Sequence, residues 1–278
     1  MNMDHYCVMG NPVAHSQSPW IHARFAELTG QTLHYGRRLV AADGFADAVR
    51  AFAAEGGKGC NVTVPFKFEA PALAQHASER VLLAQAANTL SFSPEGIVAD
   101  NTDGIGLVQD IRANAGFDLR GRQVLLIGAG GAAAGVLGPL ILAQPTGITV
   151  ANRTTSKARA LVERHTPLAM LHRVALQTSA LDTVPGAFDL VVNATISSLS
   201  GASSPVSASA LKPETLVYDM MYGPAAQPFL NWARAHGAQA RDGLGMLVEQ
   251  AAEAFSLWRG VRPASAQVLA ELRQRLAA

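Results

Sequence analysis

The segment Asn61-Val-Thr-Val-Pro-Phe-Lys67 sets three polar side chains on an otherwise apolar run. Alternate residues of a strand share a face, so Asn61 and Thr63 point the same way. Pro65 ends the ladder and lets the chain turn toward Lys67. An amide, a hydroxyl and a lysine together could bind a small polar molecule and exchange a proton with it. Taken alone, the segment has a plainer reading as a solvated strand face followed by a solvated lysine.

Other polar constellations tip the balance toward a site. His15-Ser16-Gln17-Ser18-Pro19 follows a first strand, and strand carboxyl ends host ligands in α/β sheets. Asn88-Thr89 borders a short strand, and Asp100-Asn101-Thr102-Asp103-Gly104 follows another. Ser18 and Asp103 also read as helix caps. Gln250, in Gly243-Leu-Gly-Met-Leu-Val-Glu-Gln250, falls near the apolar stripe of a helix. A buried amide there needs partners, which a ligand hydroxyl supplies. Neutral hydroxyls and amides with one lysine and one aspartate suit a small polyhydroxylated substrate with at most one carboxylate. The histidines show no metal-ligand spacing and there is no serine-nucleophile elbow, so no metal is expected.

A second constellation points to a dinucleotide. Val124-Leu-Leu-Ile-Gly128-Ala129-Gly130-Gly131-Ala132-Ala133 reads as a buried strand, a glycine turn and a helix start. Gly128, Gly130 and Ala133 fit the Gly-x-Gly-x-x-Gly/Ala spacing that lets a backbone approach a pyrophosphate at a helix N-terminus. The next strand ends Asn152-Arg153-Thr154, with Lys157 beyond. A carboxylate at that point would suit the ribose hydroxyl of NAD. A neutral amide and two cations suit a 2′-phosphate instead, so the expected cofactor is NADP.

The elements that must carry these groups alternate between strand and helix along 278 residues. That pattern predicts an α/β protein of two domains, an α/β substrate domain and a doubly wound Rossmann-type NADP domain. Expected strands are Tyr6–Met9, 32–40, 59–64, 88–92, 97–99, 124–127, 148–151, 168–175, 190–193 and 216–219. Helices are expected from Ser18, over 45–54, over 68–84 with a break near His76, over 104–114, 245–259 and 265–276. Residues 197–209 read as a serine- and alanine-rich loop.

Composition narrows the partners. Charged residues are 15% and the net charge is +1, without a basic patch, so neither nucleic acid nor a membrane surface is an expected partner. Cys7 and Cys60 sit in apolar runs and read as reduced core thiols, which suits the cytoplasm. No leader is evident at the N-terminus. The charge-free stretch from Gln123 to Asn152 is long enough for a bilayer, but its glycines and prolines divide it into the centre of a soluble domain. Monomer and homodimer are not distinguished.

The chain resembles the shikimate dehydrogenases. The resemblance rests on Gly10-Asn-Pro-Val-Ala-His-Ser16-Gln-Ser18-Pro, Asn61-Val-Thr63-Val-Pro-Phe-Lys67, Ala87-Asn88-Thr89, Asn101-Thr-Asp103-Gly, Gly128-Ala-Gly-Gly-Ala, Asn152-Arg153-Thr154, Asn193-Ala-Thr195, Tyr218-Asp-Met220 and Gly243-Leu-Gly-Met246-Leu-Val-Glu-Gln250. It covers essentially the whole chain. It implies NADPH-dependent reduction of 3-dehydroshikimate to shikimate, on the route to aromatic amino acids. It assigns the substrate carboxylate to Ser16, Ser18 and Tyr218. Thr63, Lys67, Asn88, Asp103 and Gln250 take the ring oxygens, and Lys67 with Asp103 forms the catalytic pair. Cofactor contacts are implied for Gly128, Ala129, Gly130, Gly131, Ala132, Asn152, Arg153, Thr154, Lys157, Thr195, Met220, Gly243 and Met246. The implied layout is a discontinuous substrate domain, 1–103 with 242–278, into which an NADP domain, 104–241, is inserted, with the active site in the cleft. The chain departs from the family pattern at Ala132-Ala133-Ala134, at Ile196-Ser197-Ser198-Leu199 and at Gln227. Whether Lys67 passes the proton or mainly positions substrate is open at this point. So are a quinate/shikimate dehydrogenase and a non-catalytic NADP-binding homologue.

Overall fold

A computed structural model describes residues 3–195 and 204–277. Ile196, Ser197, Ser198 and Leu199 and the start of the expected 197–209 loop lie outside them. The chain divides into two compact units, residues 1–106 with 247–278 and residues 107–246. The divisions fall inside helices, whereas the sequence reading places them between 103 and 104 and between 241 and 242.

The first unit is built on a six-stranded sheet of β1 (Asp4–Gly10), β2 (Leu33–Leu39), β3 (Gly57–Val62), β4 (His76–Ala77), β5 (Thr89–Ser93) and β6 (Gly96–Asp100). The strand order is β2-β1-β3-β5-β6-β4. β1 pairs parallel with β2 and β3, while β5 runs antiparallel to both β3 and β6. The antiparallel β5 brings Asn88 back beside the end of β3: Val62 N–H donates to the Asn88 carbonyl at 2.8 Å. Cys7 and Cys60 are register partners on β1 and β3, both buried as free thiols. Burial pushes the Cys7 thiol up to about 12 and Cys60 well above its usual range.

Helices α1 (Ser18–Thr29), α2 (Phe45–Ala54) and α3 (Glu79–Ala84) cover this sheet. In α1 Pro19 pre-sets the first turn, Ile21 and Phe25 are fully buried, and Gly30 closes the helix at φ 64°. Phe45 and Phe66 stack at 4.8 Å within the core formed with Met9, Val49 and Leu90. The expected helix over 68–84 is instead two single turns, Phe66–Phe68 and Ala70–Leu73, then β4 and the short α3. α4 (Asp103–Gln109) runs on into a π-helical turn, Asp110–Asn114.

The second unit holds an all-parallel sheet of β7 (Gln123–Ile127), β8 (Gly147–Ala151), β9 (Ala175–Ser179), β10 (Phe188–Asn193), β11 (Leu211–Asp219) and β12 (Gln239–Arg241). Its order β12-β11-β10-β7-β8-β9 is the doubly wound Rossmann order. α5 (Gly131–Leu142), α6 (Thr155–His172) and α7 (Gln227–Ala235) connect the strands. Residues 124–127 are wholly buried and α5 is buried from Ala133 to Ile141, as a strand covered on both faces requires. The charge-free stretch is therefore β7, α5 and β8, and no described helix is long and apolar enough to cross a membrane. The expected strand 168–175 is a correction: α6 continues to His172 and β9 begins at Ala175. A short apolar run does not by itself separate helix from strand; here Met170 and Leu171 are 73% and 77% exposed on the outer helix face. α8 (Leu244–Arg259) and α9 (Ser265–Ala277) complete the chain.

Candidate active site

β3 ends at Val62, so Thr63 lies just beyond it, its N–H donating to the Met9 carbonyl at 2.9 Å. Gly10 makes that approach possible: a Cβ there would meet Thr63 Cγ2 at 2.3 Å. The turn at Phe66–Phe68 then brings Lys67 round, and its carbonyl accepts from Ala87 N–H at 2.8 Å. From this position Lys67 Nζ reaches Asp103 Oδ2 at 2.6 Å, with side-chain exposures of 19% and 6%.

Asp103 is the first residue of α4 rather than the residue before it, and both of its carboxylate oxygens are engaged. Asn88 Nδ2 donates to Oδ1 at 2.9 Å while Lys67 occupies Oδ2. Asn88 Nδ2 also lies 3.1 Å from Gln250 Oε1 and 2.9 Å from Thr102 Oγ1. Gln250 in turn donates from Nε2 to the Leu247 carbonyl at 2.9 Å. Four of the expected residues, Lys67, Asn88, Asp103 and Gln250, thus form one bonded cluster, all from the first unit. Thr102 belongs to it and was passed over in the sequence. Its signal was present, since it stands between Asn101 and Asp103 in the same motif.

The loop before α1 and the first residue of that helix carry the serines. Arg37, on β2, donates to the Ser16 carbonyl from Nε at 3.1 Å and Nη2 at 2.6 Å, and Ser18 N–H donates to Ser16 Oγ at 3.3 Å. Gln17, not Ser18, occupies the cap position of α1, and no side chain caps it. The Ser18 hydroxyl is thereby not consumed as a cap.

Tyr218 is a correction. It lies on β11 in the second unit, fully buried, and its hydroxyl donates to Asp110 Oδ2 at 2.7 Å. Arg241 grips the same carboxylate from Nε and Nη2 at 2.8 and 2.7 Å, and Asn114 Nδ2 donates to Oδ1 at 2.9 Å. Burial, then the Asp110 charge, pushes the Tyr218 phenol well above its usual range. A hydroxyl held this way does not serve a substrate carboxylate. Tyr222, four residues on, is the tyrosine of this segment that is partly exposed.

The second unit presents the dinucleotide features at the carboxyl ends of its central strands. Gly128 N–H donates to the Ala151 carbonyl at 2.8 Å, and Gly128 has φ 114°, which a side chain rarely adopts. A Cβ on Gly130, the cap residue of α5, would meet nothing within 4 Å, so the turn is open above Ala129, Gly131 and Ala132. Thr195 is fixed beside this turn, its Oγ1 donating to Asn193 Oδ1 at 2.7 Å. Asn193 Nδ2 reaches Asp219 Oδ2 at 3.3 Å, and Asp219 Oδ1 accepts from Met221 N–H. This braces the chain around Met220. Gly243 sits so close to Met220 that a Cβ would meet its carbonyl oxygen at 2.3 Å, and Met246 is buried nearby in sequence.

At the end of β8, Asn152 Nδ2 donates to the Thr154 carbonyl at 2.9 Å, which shapes the turn into α6. Arg153 and Lys157 are exposed there, and the first turn of α6 holds no acidic residue. Two cations at a helix N-terminus oppose the helix dipole, and a bound phosphate relieves that conflict. The open glycine turn and this basic end fit the pyrophosphate and 2′-phosphate of NADP. Among the described residues no group of histidines, cysteines and carboxylates is placed to hold a metal.

A doubly wound sheet with a glycine turn and a basic cluster in place of a ribose-binding carboxylate defines an NADP-type α/β dinucleotide fold. The comparisons give the family. Residues 8–90 match the shikimate dehydrogenase substrate binding domain, residues 110–218 match shikimate/quinate 5-dehydrogenase, and residues 243–273 match the shikimate 5'-dehydrogenase C-terminal domain. The shikimate dehydrogenase (NADP(+)) of Acidovorax sp. strain JS42 is 67% identical over 99% of this chain and 98% of its own. An Ael1 enzyme from Pseudomonas putida superposes with a TM-score of 0.88 at 46% identity, over 97% of this chain and 98% of its own. The shikimate 5-dehydrogenase of Thermus thermophilus, solved with NADP(H) and shikimate, superposes with a TM-score of 0.86 at 31% identity, over 98% and 99%. The chain belongs to the shikimate dehydrogenase family.

Proposed function

We infer that this protein catalyses the reversible, NADPH-dependent reduction of 3-dehydroshikimate to shikimate. The observation that carries the reading is the Lys67–Asp103 ion pair, bonded to Asn88 and through it to Gln250. A non-catalytic homologue has no need of such a pair. The 67% identity to a shikimate dehydrogenase (NADP(+)) supports the substrate and the cofactor.

Bound at the glycine turn, NADPH supplies the hydride that reduces the substrate carbonyl carbon. As that bond forms, the carbonyl π pair moves to oxygen, and Lys67 Nζ gives the resulting alkoxide its proton. Asp103 holds the ammonium in place for that transfer, and the part-exposed lysine regains a proton from solvent. Asn88, Gln250 and Thr63 orient the ring oxygens, and each is a group that both fixes a hydroxyl and excludes a misplaced ring. Ser16 and Ser18 take the carboxylate. Gly128, Gly130 and Gly131 admit the pyrophosphate, and Arg153 with Lys157 holds the 2′-phosphate. The substrate unit is the discontinuous one, formed by the N-terminal and C-terminal segments.

The test follows NADPH absorbance with 3-dehydroshikimate, against NADH and against 3-dehydroquinate. Oxidation fastest with NADPH and 3-dehydroshikimate supports the reading. Preference for 3-dehydroquinate moves the substrate class, and oxidation with no pair overturns the reading.

A further inference from the structure

A line of buried hydrogen bonds runs from the interior of the first unit to the Lys67–Asp103 pair. The Tyr35 hydroxyl donates to Asn61 Oδ1 at 2.7 Å. Asn61 Nδ2 donates to the Asn88 carbonyl and to Thr89 Oγ1, both at 3.1 Å. The Thr89 hydroxyl donates to Asn88 Oδ1 at 2.9 Å, and Asn88 Nδ2 donates to Asp103 Oδ1 at 2.9 Å. Tyr35, Asn61, Asn88 and Thr89 are 7%, 6%, 3% and 1% exposed.

Two backbone groups fix the direction of this line. The Asn88 carbonyl accepts only, so Asn61 must present Nδ2 to it and Oδ1 to Tyr35. The Thr102 N–H, 2.8 Å from Asn88 Oδ1, donates only, so Asn88 must present Nδ2 to Asp103. Each hydroxyl between them is then left one sense: Tyr35 donates to Asn61, and Thr89 accepts from Asn61 while donating to Asn88. The Tyr35 ring is itself clamped, stacked on His22 at 4.2 Å and 3°. Every polar atom along the line is matched, and a buried network in that state holds its members in one geometry.

We propose that Tyr35, Asn61 and Thr89 are positioning residues for the reaction, which set the Asn88 amide and through it the orientation of Asp103 toward Lys67. The inference rests on the function proposed above. Thr89 is the critical link because its hydroxyl alone joins the two amides side chain to side chain. Replacing it by valine leaves one Asn61 proton unmatched and removes one of the three donors to Asn88 Oδ1, with only the Thr102 N–H and hydroxyl remaining. Asn88 then loses a restraint at the point where it bonds Asp103.

The test compares Thr89→Val, Thr89→Ser and Tyr35→Phe for shikimate oxidation by NADP. Thr89→Val is expected to lower kcat about tenfold, as a slightly misplaced catalytic group does. Thr89→Ser restores the hydroxyl and is expected to lie within about threefold of the parent, with Tyr35→Phe between the two and the KM for NADP unchanged in all three. A kcat equal to the parent in Thr89→Val, or a loss that Thr89→Ser does not recover, overturns the proposal. The Asn88 side-chain amide signals in ¹H–¹⁵N spectra give a readout that needs no turnover. They are expected to shift in Thr89→Val and return in Thr89→Ser, and signals unmoved in Thr89→Val overturn the proposal. A parent protein inactive on shikimate rejects the assigned reaction, while the amide signals still judge the network.

Discussion

The Tyr218 hydroxyl donates to Asp110 Oδ2 at 2.7 Å, and both side chains are fully buried. With Arg241 and Asn114 they tie β11, β12 and the π turn after α4 into one joint. Gly245 lies hard against it, since a Cβ there would meet Asp110 Oδ1 at 1.8 Å. Tyr218→Phe removes one donor from a buried carboxylate. It is expected to lower stability by about 1–3 kcal/mol in urea denaturation. The KM for shikimate is expected to stay within about twofold of the parent, because no binding contact is lost.

Asp103 accepts from Lys67 and Asn88, and its side chain is 6% exposed. Asp103→Asn removes the charge that holds the ammonium and is expected to lower kcat on the order of a hundredfold. If the two residues act as a unit, Lys67→Ala in the same chain adds little further loss. Initial rates of the two single variants and the double variant measure this, and fully additive losses count against a coupled pair.

Arg153 and Lys157 stand exposed at the start of α6, with Asn152 where an NAD site carries a carboxylate. Arg153→Ala is expected to raise the KM for NADP by about tenfold to a hundredfold, the effect of one charge-assisted hydrogen bond. Rates with NAD are expected to hardly change. An equal effect on both cofactors removes Arg153 from the 2′-phosphate.

His22 is buried among Tyr35, Phe25, Phe255 and Trp258, and among the described residues neither ring nitrogen has a partner at good hydrogen-bond geometry, the Asn61 amide being only near it. Burial pulls its pKa from 6.5 down to about 3, only weakly opposed by the Asn61 amide. Between those values the unfolded chain binds a proton that the folded protein refuses. The stabilising effect is therefore complete above 6.5 and lost as pH falls toward 3. From pH 7 to pH 5 this costs about 2 kcal/mol. Urea titrations at both pH values are expected to show that loss in the parent and a smaller one in His22→Phe.

The dinucleotide half was legible because its strand, glycine turn and helix follow one another in sequence, and Gly128 to Ala133 and Asn152 to Lys157 state their chemistry locally. The Lys67 segment was legible for the same reason. Its partners were harder, since Asp103 meets Lys67, and Gln250 meets Asn88, only through long-range packing. Tyr218 misled because a hydroxyl in a family-like motif carries no mark of burial, and Asp110, which holds it, is far away in sequence. Thr89 stood out only as the neighbour of Asn88, and Tyr35 gave no signal, because threonine and tyrosine are ordinary strand residues. The run from Leu168 to Leu171 misled for another reason: four such residues fit either period.

The role of Lys67 is tested most directly by Lys67→Ala, with steady-state rates of 3-dehydroshikimate reduction by NADPH at neutral pH. The expected result is a fall in kcat of at least about a hundredfold, with the KM for NADPH unchanged. A near-normal kcat with only a raised KM for 3-dehydroshikimate would show that Lys67 binds substrate and does not move the proton.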